Sequence, residues 1–400
     1  MHSGIMPSVL CGLPSSLPVT TVVNGGGDNT LVSEIFSIVS LCASSLNKDS
    51  PTNETNGMKG KLNNPHGLAF HSCLLLATIA QFFKSAGRNS ALFILTTSSK
   101  KQQSRLSALA HLFSSDDGVP SSLQPHCASA MLAFASILSL ESGASSESSV
   151  SDIAMPLVPR TGTLYDHLKI HHKDENEKCC AAKNCRLSHW HGLRDGCVGL
   201  LECRLKWGGP LAVQQCCASG LPQLLIHLLG SSTFGDSQAI DHVQDLVGLS
   251  PIGVVWAVSS LSHCLSGGAL IFRQIMLHNE HVKCIRDLIS DAHVKLIKSW
   301  AGPGGGKNGV RDTVNAVIDF LGFPFVAVQN ASTLPSATAS VSSGFLLNVA
   351  SPGAKVCRED TETLKAIKEN MEKYARILLE VKYFFPFPHG SLHDTLHLSI

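Results

Sequence analysis

Charge is scarce in this sequence of 400 residues. Asp, Glu, Lys and Arg make up 15% of it and leave a formal net charge of +1. A protein built to neutralise nucleic-acid phosphates needs a basic excess, so that class is argued against. A run of about 18 uninterrupted apolar residues is also missing, and no membrane span is predicted. The N-terminus lacks a basic leader, and Pro7, Pro14 and Pro18 interrupt its apolar stretch, which makes it a poor signal peptide. No Gly-x-Ser-x-Gly elbow occurs, so a serine hydrolase of that type is unsupported. A protein-kinase catalytic site is missing too. The string nearest to its His-Arg-Asp loop is His191-Gly192-Leu193-Arg194-Asp195, with two residues inserted and no Asn at the required distance.

What is abundant is apolar surface with helical spacing. Hydrophobic residues account for 44% of the chain, enough to build a large core. Many of the 14 cysteines sit inside apolar helical runs, as Cys42, Cys73, Cys203 and Cys264 do. Such thiols behave as small core residues, and their scatter reads as a cytosolic chain with reduced cysteines. Leu221-Pro222 followed by Leu224, Leu225, Leu228 and Leu229 describes a helix with a strongly apolar face, opened by a proline whose missing N–H costs nothing there. A helix this apolar needs neighbours on both sides. Similar patterns before and after it predict an all-α, armadillo/HEAT-like helical-repeat solenoid with long disordered loops.

The pattern divides the chain. Residues 1–29 read as a flexible segment rich in Pro, Gly, Ser and Asn. Residues 30–141 read as helical repeats, and 142–188 as a linker or insertion. Residues 189–330 read as armadillo-like repeats in two triplets, Leu193–Lys206, Leu211–Ala218, Pro222–Leu229 and then Val254–Leu265, Leu270–Leu277, His281–Ile289. Their separation exceeds a repeat of about 40–47 residues, so a loop is inserted between them. Residues 331–358 read as a loop, 359–383 as a C-terminal capping helix and 384–400 as a tail. In the capping helix Leu364, Ile367, Met371, Tyr374, Leu378 and Val381 form a heptad seam, which serves either a cap or a coiled coil.

Three clusters invite chemistry. Ala301-Gly302-Pro303-Gly304-Gly305-Gly306-Lys307-Asn308-Gly309 has the Gly-Lys of a phosphate loop, but Ala301 and Asn308 stand where Gly and Ser or Thr are needed, and a helix precedes it. It reads as an interhelical turn, with nucleotide-dependent phosphotransfer as the alternative. His167, His171, His172, Cys179, Cys180, Cys185, His189, His191 and Cys197 lie close in sequence, but their spacing is irregular for a tetrahedral zinc site. The stretch reads as an insertion with incidental thiols. Lys283, Arg286, Lys295 and Lys298 fall on two successive helices and either attract an acidic partner or form a solvated face. No catalytic, cofactor-binding or metal-binding residue is expected. The third helix of each triplet is expected to line a groove that binds protein, with Gln223, His227, Lys283 and Arg286 exposed in it.

Residues 196–229 and 249–330, above all Trp300 through Gly306 with Phe323-Pro324-Phe325, resemble the C-terminal armadillo-type region of plant Fused-type serine/threonine kinases. That family combines an N-terminal kinase domain with a long helical-repeat tail. The resemblance implies a noncatalytic protein-binding scaffold acting in cytokinesis at the phragmoplast, a microtubule array of dividing cells. It implies a cytoplasmic location and protein partners, with microtubule motor proteins of the division apparatus among them. It implies neither a cofactor, a nucleic acid nor a small-molecule substrate. The family's catalytic residues have no matching positions here, so the chain is not expected to be an enzyme. A nonfunctional truncated fragment is the further alternative.

Overall fold

The structure, a computed structural model, describes residues 30–46, 63–88, 90–114, 125–141, 148–166, 168, 189–232, 249–265, 267, 269–300, 302–333 and 358–384. Among the described residues every regular element is helical, so the fold is all-α. The chain forms two compact units, Met1–Cys203 and Arg204–Ile400.

The first unit contains α1 (Thr30–Leu46), α2 (Pro65–Ser85), α3 (Leu92–Leu95), α4 (Ser99–Phe113), α5 (Pro125–Leu138) and α6 (Ser148–Ala154). At its centre, α5 is buried on all sides from His126 to Leu138. Ala128, Ala130, Ala133 and Ala135 let neighbouring backbones come close, while Met131, Phe134 and Ile137 fill the remaining space. Against it lie α2 and α4, and α1 covers both of these. Phe113 of α4 meets Phe134 of α5 edge-on, with centroids 5.6 Å apart.

Local chemistry sets the helix limits. Pro65 opens α2 at a position where no N–H is missed, and Asn64 accepts a hydrogen bond from the Gly67 N–H at 3.0 Å. Gly87 takes a left-handed conformation, φ 71°, just past the end of α2. By length and composition α2 could cross a membrane. One side of it is buried in the unit: Cys73, Leu76, Ala77 and Ala80 are fully enclosed as it packs on α1 and α5. Arg105 of α4 ties the unit's elements together. It donates to the Ile94 carbonyl at 2.8 Å and to the Ser33 hydroxyl at 2.6 Å, and its guanidinium lies 4.9 Å from the centre of the Phe36 ring.

Two boundaries differ from the sequence reading. Part of the 142–188 stretch, read as a linker, is helical. It forms α6 and a 3₁₀ turn at Met155–Leu157, and it buries Val150, Ala154, Val158 and Leu164. These few apolar residues stand among Ser and Pro neighbours, too sparse to show as a helical period. The helix expected to open the second array, α7 (His189–Trp207), gives most of its length to the first unit. Gly196 explains this: a Cβ there would lie 2.7 Å from the Met131 Cβ, so α7 crosses α5 at backbone contact.

The second unit continues with α8 (Gly209–Ala218), α9 (Leu221–Ser232), α10 (Pro251–Leu265), α11 (Ala269–Met276), α12 (Asn279–Asp287), α13 (Asp291–Ser299), α14 (Gly306–Thr333) and α15 (Arg358–Phe384). Its core helix is α10, with Val254, Trp256, Ala257, Leu261 and Cys264 enclosed. Around it pack α8, α9, α11 and α14. The long α14 also covers α13 and α15. It contains Pro324, whose missing N–H did not stop the helix. Residues 1–29, most of the 167–188 run, 233–248, 334–357 and the 385–400 tail lie outside the described residues, and so do the long loops expected there.

Candidate functional site

Helices α9 and α12, the third members of their triplets, lie side by side. Leu221, Leu225, Leu228 and Leu229 bury one side of α9, and Val282 and Ile285 bury one side of α12. The faces left outward carry Gln223, His227, Lys283 and Arg286, all four exposed. Gln223 donates from its amide to Gln274 of α11 at 3.1 Å. Lys283 and Arg286 sit one turn apart, so both reach the same side of α12. Lys295 and Lys298 are exposed on α13 and do not share this feature.

Lys283 and Arg286 open onto a cleft of about 250 Å³ between α12 and α15. Tyr374 fixes the opposite wall. Its ring is fully buried and its hydroxyl donates to the Met276 carbonyl, the last of α11, at 2.8 Å. That carbonyl is one of the helix-end acceptors left without an intrahelical donor. Burial pushes the Tyr374 hydroxyl up to about 12, which keeps it a neutral donor. With Tyr374 anchored, Lys373 lies over the start of α12 and its ammonium donates to the Asn279 side chain. Ile377, one turn on, joins Val282 to form the apolar floor.

The charge balance in the cleft is positive. Lys283, Arg286 and Lys373 face one carboxylate, Glu280. Arg286 reaches the adjacent Asp287 at 3.6 Å, with both side chains about half exposed, and such pairs are worth at most about 1 kcal/mol. Neither Lys373 nor Arg286 was predictable as a cleft pair from sequence. The heptad seam marks which side of α15 is buried, but not that Tyr374 docks on α11 and so brings Lys373 and Ile377 to α12.

The glycine-rich turn between α13 and α14 is closed by its own backbone. A Cβ on Gly304 would lie 2.6 Å from the Ile252 nitrogen. One on Gly305 would run into the Trp300 carbonyl oxygen, and one on Gly309 into the Gly304 carbonyl oxygen. Gly304 and Gly306 have φ of +82° and +72°. The glycines are there because the chain folds onto itself and onto α10. A helix, not a strand, leads into the turn.

Among the described residues no group of three His, Cys, Asp or Glu side chains converges as a metal site. His167, His171, His172, Cys179, Cys180 and Cys185 fall outside the described residues, as do the side chains of His189 and His191. Cys197 is enclosed, and burial pushes its thiol up to about 12. Cys42, Cys73, Cys203 and Cys264 are buried. Cys217 is half-buried and its thiol donates to the Cys264 carbonyl at 3.8 Å.

Helices α8 to α15, with cations gathered on α12 and against α15, define an all-helical region whose outward chemistry is a surface. This chain is similar to a region of a plant serine/threonine kinase. Serine/threonine-protein kinase TIO of Arabidopsis thaliana is 57% identical over 382 residues, which cover 95% of this chain and 28% of the relative. The chain thus spans a little over a quarter of the length of the curated relative that it matches. The similarity is therefore to one region of that kinase, not to the whole. No family model matches the chain. No solved structure matches it either.

Proposed function

We propose that this chain is a noncatalytic, protein-binding scaffold of the Fused-type kinase family that acts in cytokinesis. The observation that carries this reading is the side-by-side packing of α9 and α12, which leaves Gln223, His227, Lys283 and Arg286 outward on adjacent third helices. Stacking that lays third helices alongside one another is how armadillo-type solenoids build their binding surface, and the two triplets are read as successive turns of one. The similarity to a region of a kinase supports a role for this region other than phosphotransfer. The glycine turn points the same way, because Gly304, Gly305 and Gly309 stand against backbone of the turn and of α10, so close packing accounts for glycine there.

The partners are proteins, with microtubule motor proteins of the division apparatus foremost, and the location is the cytoplasm at the phragmoplast. The test is co-elution of the purified chain with purified motor proteins of the phragmoplast, run beside an assay for transfer of the ATP γ-phosphate. Complex formation without transfer is expected. Transfer that disappears in Lys307→Ala, with no complex formed, would replace the scaffold by an enzyme.

A further inference from the structure

The geometry points to the α12–α15 cleft as a docking site for an acidic peptide segment that presents one aliphatic side chain. The inference rests on the scaffold reading and gives that scaffold a partner chemistry. Size comes first. A cleft of about 250 Å³ falls below the roughly 300–1,000 Å³ typical of small-molecule pockets, so it admits a side chain better than a whole metabolite. The floor is apolar, made by Val282 from α12 and Ile377 from α15. An aliphatic side chain seated there leaves water for a surface that already excludes it.

Charge selects the rest of the segment. Lys283, Arg286 and Lys373 rim the floor from both walls, with Glu280 as the carboxylate among the lining residues and Asp287 beside Arg286. Lys373 is held by a neutral amide, Asn279, and so keeps its full charge for a partner. Among the described residues Arg286 pairs with its neighbour Asp287, at 3.6 Å and half exposed. Three cations within one cleft repel each other, and carboxylates on an incoming chain relieve that repulsion while steering its approach. An aliphatic residue flanked by Asp or Glu meets floor and rim together. A basic or phosphate-free neutral segment meets only the floor.

The experiment uses the full chain and a fluorescein-labelled peptide, Glu-Glu-Leu-Glu-Glu, followed by fluorescence anisotropy. The expected result is saturable binding that weakens as salt rises. Affinity should fall by at least about tenfold when Leu in the peptide becomes Gly, and likewise in the triple variant Lys283→Glu, Arg286→Glu, Lys373→Glu. All three positions are exposed or half-exposed, and circular dichroism checks that the helices survive. Equal binding of the Gly peptide overturns the proposal, since attraction would then be charge alone. Equal binding by the triple variant overturns it by placing the peptide elsewhere. A dimer of the wild-type chain that the triple variant dissociates in sedimentation also overturns it, because the cleft would then hold a second copy. Co-elution with motor proteins is measured on the same samples. Loss of peptide binding with co-elution intact removes the cleft and leaves the scaffold, whereas absence of both removes the two together.

Discussion

At the residue scale, His293 shows how burial fixes a protonation state. It stands at the start of α13, where the Ser290 hydroxyl accepts from its backbone N–H at 3.4 Å. Its ring is 3% exposed, and neither ring nitrogen has a partner among the described residues. Burial holds its pKa down at about 4, against an ordinary value of 6.5. The folded state therefore refuses a proton that the unfolded chain accepts. Stability from this group is complete above pH 6.5 and declines as pH falls toward 4. Each pH unit of that window is worth about 1.4 kcal/mol, so the decline is about 3 kcal/mol in all. His126 in the first unit behaves in the same direction, held down at about 4 by burial and by His66, whose Nδ1 lies 3.3 Å from its own. Denaturant unfolding of His293→Leu at pH 7 and pH 4.5 checks this. Wild type should lose about 2–3 kcal/mol more than the variant between the two conditions. Parallel losses would show that His293 is protonated in the folded chain.

At the scale of elements, the turn joining α13 to α14 separates two reasons for glycine. Gly304 needs both its left-handed angle and its missing Cβ, because Ile252 of α10 lies against it. Gly306 needs only the angle, with nothing within 4 Å of where a Cβ would stand. Gly306→Ala should cost about 1 kcal/mol, and Gly304→Ala about 3 kcal/mol or more, in thermal or denaturant unfolding. Equal costs would mean that α10 does not press on the turn. The same contrast explains how much the sequence reveals. The turn is legible as a turn because glycine fills most of the positions from Gly302 to Gly309. That these glycines admit a second helix is not legible, because the contact comes from Ile252, far away along the chain. The helices α1, α2, α9 and α10 are legible from local period and from Pro65, Pro222 and Pro251. The short α3 is a single turn, too short for a period to show, and α6 is hidden among serines. The seam of α15 is legible as a buried stripe: Ile367, Tyr374 and Leu378 are enclosed within the second unit. Where that stripe docks depends on the Met276 carbonyl, an acceptor that belongs to every helix end and carries no sequence signature.

At the scale of the whole molecule, the chain is similar to one region of a kinase and carries its chemistry on a helical surface. Its charge is low and nearly balanced, at +1 overall, yet the α12–α15 cleft concentrates three cations. Low overall charge keeps distant parts of the surface from competing for the same partner, and the local cluster supplies direction. Gln223 and His227 on α9 lie outside the cleft residues, so the groove expected from the four positions divides into a polar strip on α9 and a basic cleft beyond α12.

The measurement that tests this account most directly is amide hydrogen exchange of the chain alone, with a bound motor protein of the phragmoplast, and with MgATP. With the protein partner, slowed exchange is expected across 221–232, 279–287 and 365–380. MgATP is expected to change nothing. Protection of 302–309 by MgATP, with α9, α12 and α15 unaffected by the partner, would contradict the account and put a nucleotide site where it places a closed turn.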